Sequence, residues 1–149
     1  MLEFEDKLNH ILVDTFNNIT KYEEKSLRKI SQVPITVSEV HLLQAIAQNG
    51  GSATVSCLSR ILKVTRPTVT VAVKKLEKKE LLKKETAEHD GRRFIITLTD
   101  SGQKIQRAHN IFHKKMIRNI SKDFNTEEKE ILLQSLTKLA DFFKDKVKN

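Results

Sequence analysis

Lys63-Val64-Thr65-Arg66-Pro67-Thr68-Val69-Thr70-Val71-Ala72-Val73-Lys74-Lys75-Leu76-Glu77-Lys78-Lys79 is the stretch on which the reading of this 149-residue chain turns. Its β-branched residues suit a strand, but Val69, Ala72, Val73 and Leu76 recur at helical spacing and lay an apolar stripe along one face. The spacing predicts a helix. Thr65 is placed to cap it, and Pro67 falls in the first turn, where a missing N–H costs little. The other face collects Arg66, Thr68, Thr70, Val71, Lys74, Lys75 and Lys78, a mixture of small hydroxyls, one methyl-bearing side chain and cations. Such a face suits a DNA major groove: Thr and Val can meet base edges and thymine methyls while Lys and Arg meet phosphates. A solvated basic face on an ordinary helix has the same composition, so this stretch alone leaves both readings open.

Its neighbours narrow the choice. Upstream, Thr54 to Lys63 is expected to form a short helix carrying Val55, Leu58 and Leu62 inward, and Val64-Thr65 leaves only a tight turn before the next helix, the relation of a helix-turn-helix. Before it, Thr36-Val37-Ser38-Glu39 is a capping box with Ile35 and Val40 as a hydrophobic staple, and the helix it opens runs through Leu43 and Ile46 to a stop at Asn49-Gly50-Gly51. Downstream, after Leu81-Leu82, the apolar period changes from 3.6 to 2. Lys83 to Thr86 and Arg93 to Thr99 read as two strands joined by the polar Ala87-Glu88-His89-Asp90-Gly91-Arg92, and a hairpin directly after a helix-turn-helix is a wing, here tipped by Arg92 and Arg93.

Charge supports this grouping. The chain carries a net +8; residues 60–93 hold eleven Lys or Arg against five acids, whereas residues 1–59 hold five against seven. The excess is centred on the opening stretch and calls for a polyanionic partner, either nucleic acid or an acidic protein surface. No apolar run approaches 18 residues and no charged-then-apolar leader is present, so neither a membrane span nor a signal peptide is expected. One cysteine, Cys57, excludes an internal disulfide and agrees with a cytoplasmic protein.

Long helices flank this lobe. Leu8, Ile11, Leu12, Phe16, Ile19, Leu27 and Ile30 give one helical period from about Phe4 to Ser31, which Pro34 ends. Ile105, Ala108, Phe112, Met116 and Ile120 give another, and a last helix with Thr126 as its expected N-cap carries the seam Leu132, Leu136, Leu139 and Phe143. These helices are long for packing on a small lobe, so their stripes are expected to pack on a second copy as a symmetric homodimer. The expected fold is mainly α with a small β-hairpin wing in one domain over 1–149: a winged helix-turn-helix lobe over 34–100, with N- and C-terminal dimerisation helices over 4–31 and 101–147.

This order of elements, with Asp90-Gly91-Arg92-Arg93 on the wing and Leu98-Thr99-Asp100-Ser101-Gly102 opening a long helix, resembles the MarR family of bacterial transcription regulators across essentially the whole chain. The resemblance implies an effector-controlled repressor that binds double-stranded DNA at a pseudo-palindromic operator. It further implies that Arg92 reaches into the minor groove and that Asp90 helps hold it. Gly91 stands where the family often has arginine, and Val71 stands where many members have arginine on the recognition helix. A finer resemblance is to FabT-type repressors of fatty-acid synthesis, on Phe16-Asn17-Asn18-Ile19, Glu23-Glu24, Leu27-Arg28, Ser38-Glu39-Val40-His41, Val64-Thr65, Thr68-Val69-Thr70 and Phe112-His113-Lys114-Lys115-Met116. It implies long-chain acyl groups on acyl carrier protein, a small acidic partner, as corepressor. An effector pocket is then expected between the first, second and fifth helices, lined by His41, Phe112, His113 and Met116.

The histidines open an alternative. His109 and His113, at i and i+4, can share one helical face and one ion, and the zinc-dependent repressors of the family bind metal with histidines in similar places. His41 and either Glu23 or Glu24 complete a four-ligand set if the helices converge, in its Glu24 form Glu24, His41, His109 and His113. Against this stands the reading of the same residues as polar groups hydrogen-bonded at a helix junction, with no cofactor required. Catalysis is not expected: there is no Gly-rich phosphate loop, nucleophile elbow or HExxH, and Cys57 lacks an evident base. A basic helical module that binds an acidic protein without DNA is the remaining alternative.

Overall fold

The computed structural model describes residues 2–87 and 90–148, with the backbone alone at 87 and 90–93. In chain order the elements are α1 (Leu2–Ile30), α2 (Val37–Gln48), β1 (Ser52–Ala53), α3 (Val55–Leu62), α4 (Arg66–Lys78), β2 (Leu82–Ala87), β3 (Asp90–Leu98), α5 (Asp100–Ser121) and α6 (Thr126–Lys146). The chain divides into two units between Asn110 and Ile111, within α5.

The first unit holds the core. Val40, Leu43 and Ile46 of α2, Leu58 of α3, Val69, Val73 and Leu76 of α4, Leu82 and Ile96 of the sheet, Leu27 of α1 and Ile105 of α5 form one buried cluster. The α2 start is the expected capping box: Glu39 N–H donates to Thr36 Oγ1 and Thr36 N–H donates to Glu39 Oε1, both at 3.1 Å. Its end is the expected Asn-Gly-Gly stop, with Gly51 N–H reaching Ile46 O at 3.0 Å and Gly50 at φ +85°.

The sheet has three antiparallel strands in the order β1-β3-β2, one more than the expected hairpin. Ser52 pairs with Thr97 and Ala53 with Ile96 on one side of β3, while β2 pairs from Leu82 with Leu98 to Thr86 with Phe94 on the other. β1 is two residues long and carries no periodic signal of its own; β3 supplies its hydrogen-bonding partners.

Where the sheet returns to helix, the Leu-Thr-x-x-Gly pattern has a mechanical meaning. Thr99 Oγ1 donates to Glu80 O at 2.7 Å and accepts from Gly102 N–H at 3.1 Å, capping α5 while gripping the chain at the end of α4. Thr99 N–H donates to Leu81 O at 3.2 Å. Gly102 lies so close to that carbonyl that a Cβ built on it would stand 2.0 Å from the oxygen.

In the second unit, α6 begins from Asn125 and not from Thr126 acting as cap. Asn125 Oδ1 accepts from Glu128 N–H and Glu128 Oε2 accepts from Asn125 N–H, each at 2.9 Å. Glu128 is three residues after Asn125, the spacing a capping box needs; from Thr126 that position is Lys129. No described α6 residue is buried within the chain, and Ile131, Leu133, Leu136, Phe142 and Phe143 are exposed. On α1, Ile11, Phe16 and Ile19 are likewise exposed, while Leu27 is buried. Among the described residues no helix is long and apolar enough to cross a membrane.

Gly102→Ala is expected to lower stability by about 3 kcal/mol, the upper end of what overpacking costs, because the obstacle is backbone and cannot swing aside. Urea unfolding of the variant against the unchanged chain measures it.

Candidate nucleic-acid interface

α3 and α4 are joined by a turn closed at three points. Lys63 takes the left-handed conformation at φ 55°, Val64 N–H donates to Ser59 O at 3.2 Å, and Ser59 Oγ donates to Val64 O at 2.6 Å. Thr65 then caps α4, accepting from Thr68 N–H at 3.3 Å, with Pro67 in the first turn as expected. Because the two helices leave so short a turn at a set angle, the outer face of α4 is presented by a rigid mount.

That face carries most of the residues read from the sequence. Arg66, Thr68, Val71, Lys74, Lys75 and Lys78 are exposed, while Val69, Val73 and Leu76 are buried. Thr70 differs: it is half-buried, and its hydroxyl donates back to Arg66 O at 3.0 Å, so its proton is engaged within the helix. Thr68 shares a 2.8 Å contact with Thr65 between their hydroxyls. The face therefore centres on Val71, flanked by cations.

The two lysines that end this stretch have different fates. Lys78 is exposed, whereas Lys79, the C-cap of α4, turns inward and places Nζ 3.0 and 2.9 Å from the two oxygens of Glu39. Burial pushes the Glu39 carboxyl up, but hydrogen bonds from Lys79 and Thr36 and the Lys79 charge outweigh it and hold it below the usual glutamate range. Their pairing belongs to no motif, since they are forty positions apart.

On the wing, the backbone of β3 follows β2 with a register shift between Thr86 and Ala87, and Lys84 Nζ sits 5.4 Å from the centre of the Phe94 ring. The side chains of Asp90, Arg92 and Arg93 lie outside the described residues.

Acidic and imidazole groups come together from α1 and α5. Glu23 of α1 and His109 of α5 are buried, and α5 runs unbroken to His113 one turn further on. Glu23, His109 and His113 each offer a ligand atom, all within 4.8 Å of one another. Of the two glutamates expected as alternatives, Glu23 and not Glu24 is in this group. Neighbouring residues on a helix point about 100° apart, and Glu23 shares the buried face with Leu27 four residues on, while Glu24 is exposed. His41 is outside this group although its ring is 6.0 Å from that of His109; it is exposed and lines a cavity of about 240 Å³ with Leu42, Leu62, Val64, Val69 and Ala72. Phe112, His113 and Met116 are half-buried on α5, the Phe112 and His113 rings meeting edge-on at 5.6 Å.

Comparison with known proteins places these features. A model of the MarR family matches residues 33–93, which span α2, the helix-turn-helix and most of the hairpin. The transcriptional regulator ZitR of Lactococcus lactis subsp. cremoris (strain MG1363) is 31% identical over 120 residues, covering 76% of this chain and 79% of that protein. Among solved structures, Streptococcus pneumoniae FabT in complex with DNA superposes with a TM-score of 0.87 at 33% identity, over 95% of this chain and 98% of that one. The zinc-responsive MarR family member Lactococcus lactis ZitR superposes with a TM-score of 0.66 at 25% identity, over 91% and 99%.

Because the Glu39 carboxyl is held down in the fold, its contribution to stability is complete above the ordinary glutamate range and is lost as pH falls through the lower folded value. Glu39→Gln is therefore expected to cost roughly 1–3 kcal/mol at neutral pH, the worth of hydrogen bonds to a charged group, and much less near pH 3. Urea unfolding at the two pH values checks it.

Proposed function

The chain belongs to the MarR family of DNA-binding transcription regulators, and we propose that it acts as a homodimeric repressor whose α4 reads a pseudo-palindromic operator. The α4 face carries this reading: Arg66, Lys74, Lys75 and Lys78 surround Thr68 and Val71 on a helix held by a closed turn. In it, Val71 and Thr68 face base edges, the cations face phosphates, and Arg92 on the wing enters the minor groove with Asp90 supporting it. The exposed apolar side chains of α1 and α6 are the surfaces a second copy would cover, which makes 4–31 and 101–147 the dimerisation helices and 34–100 the reading lobe. Two copies then present two α4 helices to half-sites about one turn, roughly 34 Å, apart.

For the effector, we propose long-chain acyl groups on acyl carrier protein as corepressor. Support comes from the FabT-type residues in α1, α2, α4 and α5 and from the likeness to FabT over 95% of the chain. A second reading, control by zinc, is favoured by the Glu23, His109 and His113 cluster. Two imidazoles and a carboxylate are donors that zinc accepts at about 2.0–2.2 Å, so ligand atoms up to 4.8 Å apart would close to roughly 3.4 Å around one ion. His41, whose ring is 6.0 Å from that of His109, is the candidate for a fourth ligand in this reading.

Two measurements test these readings. Lys74→Ala is expected to weaken binding to operator and to random duplex alike and to reduce the log–log salt slope by about 1, as loss of one phosphate contact does. Gel-shift titrations with acylated carrier protein, unacylated carrier protein, zinc and chelator separate the effectors: tightening by the acylated carrier alone is the expected result. Loss of DNA binding on chelation, restored by zinc, would overturn the acyl reading in favour of the metal one.

A further inference from the structure

We infer that the Glu39–Lys79 ion pair sets the inclination of α4 against α2, which makes both side chains positioning residues for operator recognition without contact to DNA. The inference rests on the proposal that α4 is the recognition helix.

The two ends of α4 are held differently. At its start, the Ser59–Val64 turn and the Thr65 cap hold it through contacts between residues close in sequence. At its end, Lys79 Nζ donates to both oxygens of Glu39 at 3.0 and 2.9 Å. Glu39 is itself immobilised: it occupies the third position of α2, its Oε1 also accepts Thr36 N–H, and it is 7% exposed. Its carboxylate is more buried than those of the Lys7–Glu3, Lys84–Glu77 and Lys148–Asp145 pairs.

A buried ion pair is weak evidence for stability, since desolvation offsets most of the attraction; its geometric demand is the stronger consequence. Over thirteen residues α4 is about 20 Å long, so a 1 Å shift at Lys79 swings the axis by about 3° and moves its middle by about 0.5 Å. That is on the scale of the gap, about 0.5–1 Å, at which a close packing contact already forfeits a quarter to a half of its attraction. Phosphate contacts by mobile lysines tolerate such a swing. A base contact from Val71, on a short side chain near the middle of the helix, does not.

The test uses the full-length chain, Glu39→Gln, Lys79→Met and the double variant. Gln keeps the reach of a capping box, and Met keeps the apolar stem of the lysine. The probe is the duplex that the unchanged protein recovers from a random-sequence library, with random duplex as reference, at a temperature where all four proteins are folded by circular dichroism. Each single variant is expected to lose about tenfold in affinity for the selected duplex, the scale of one base contact, with affinity for random duplex and the salt slope unchanged. The double variant is expected to lose no more than either single one, because the pair acts as a unit. A lowered melting temperature with an unchanged ratio of selected to random affinity would reduce the pair to a structural role and overturn the inference. Losses that multiply in the double variant, or a shallower salt slope for Lys79→Met, would overturn it too, the latter by showing that Lys79 meets phosphate. If the unchanged protein recovers no preferred duplex, the recognition-helix reading fails and the inference falls with it.

Discussion

Leu81 is the point at which the winged lobe is held together. Its N–H donates to Leu76 O and closes α4, its carbonyl accepts Thr99 N–H, and the same oxygen lies where only a glycine at position 102 can approach. Three segments are thereby tied at one residue: the end of α4, the chain leaving the second strand of the hairpin and the first turn of α5. Thr99 adds a second tie through Glu80 O. Glu80 sits at φ 61°, a conformation non-glycine residues rarely take, and these flanking bonds are what hold it there.

How much of this was legible depends on how local each device is. Capping signals are local, and Thr36 with Glu39, Thr65 with Pro67, and Asn49-Gly50-Gly51 all act as their chemistry predicts. At α6 the same arithmetic was available and distinguishes Asn125 from Thr126, since only Asn125 has glutamate three residues on. Glu23 too could have been separated from Glu24 by its spacing to Leu27. β1 could not have been found that way: two residues have no period, and their pairing to Thr97 and Ile96 is set by a strand more than forty residues away. Nor could the engagement of Lys79. In Lys78-Lys79 two adjacent cations read alike, and only the position of Glu39 in space distinguishes them.

Thr70 shows the limit of counting faces. On a wheel it lies about 100° from Val71 and about 160° from Thr68, at the margin of the exposed face, and its hydroxyl bonds the backbone carbonyl one turn back, here Arg66 O. The surface left for recognition is consequently narrower and more apolar than the sequence suggests, with Val71 at its centre. The cluster of Glu23, His109 and His113 was less legible still, because it joins α1 to α5 across more than eighty residues of chain.

The strand order β1-β3-β2 has a consequence for how copies of this chain can meet. It places β1 and β2 at the two rims of the sheet, where unpaired backbone groups invite another strand to add on. The strand β1 is two residues long, too short to template a neighbour, and β2 carries Lys83, Lys84 and Glu85 in succession. Growth of the sheet from molecule to molecule through β1 or β2 is thus disfavoured. A protein with so much apolar helix surface left bare keeps its extended backbone from becoming a second, ungoverned route to association.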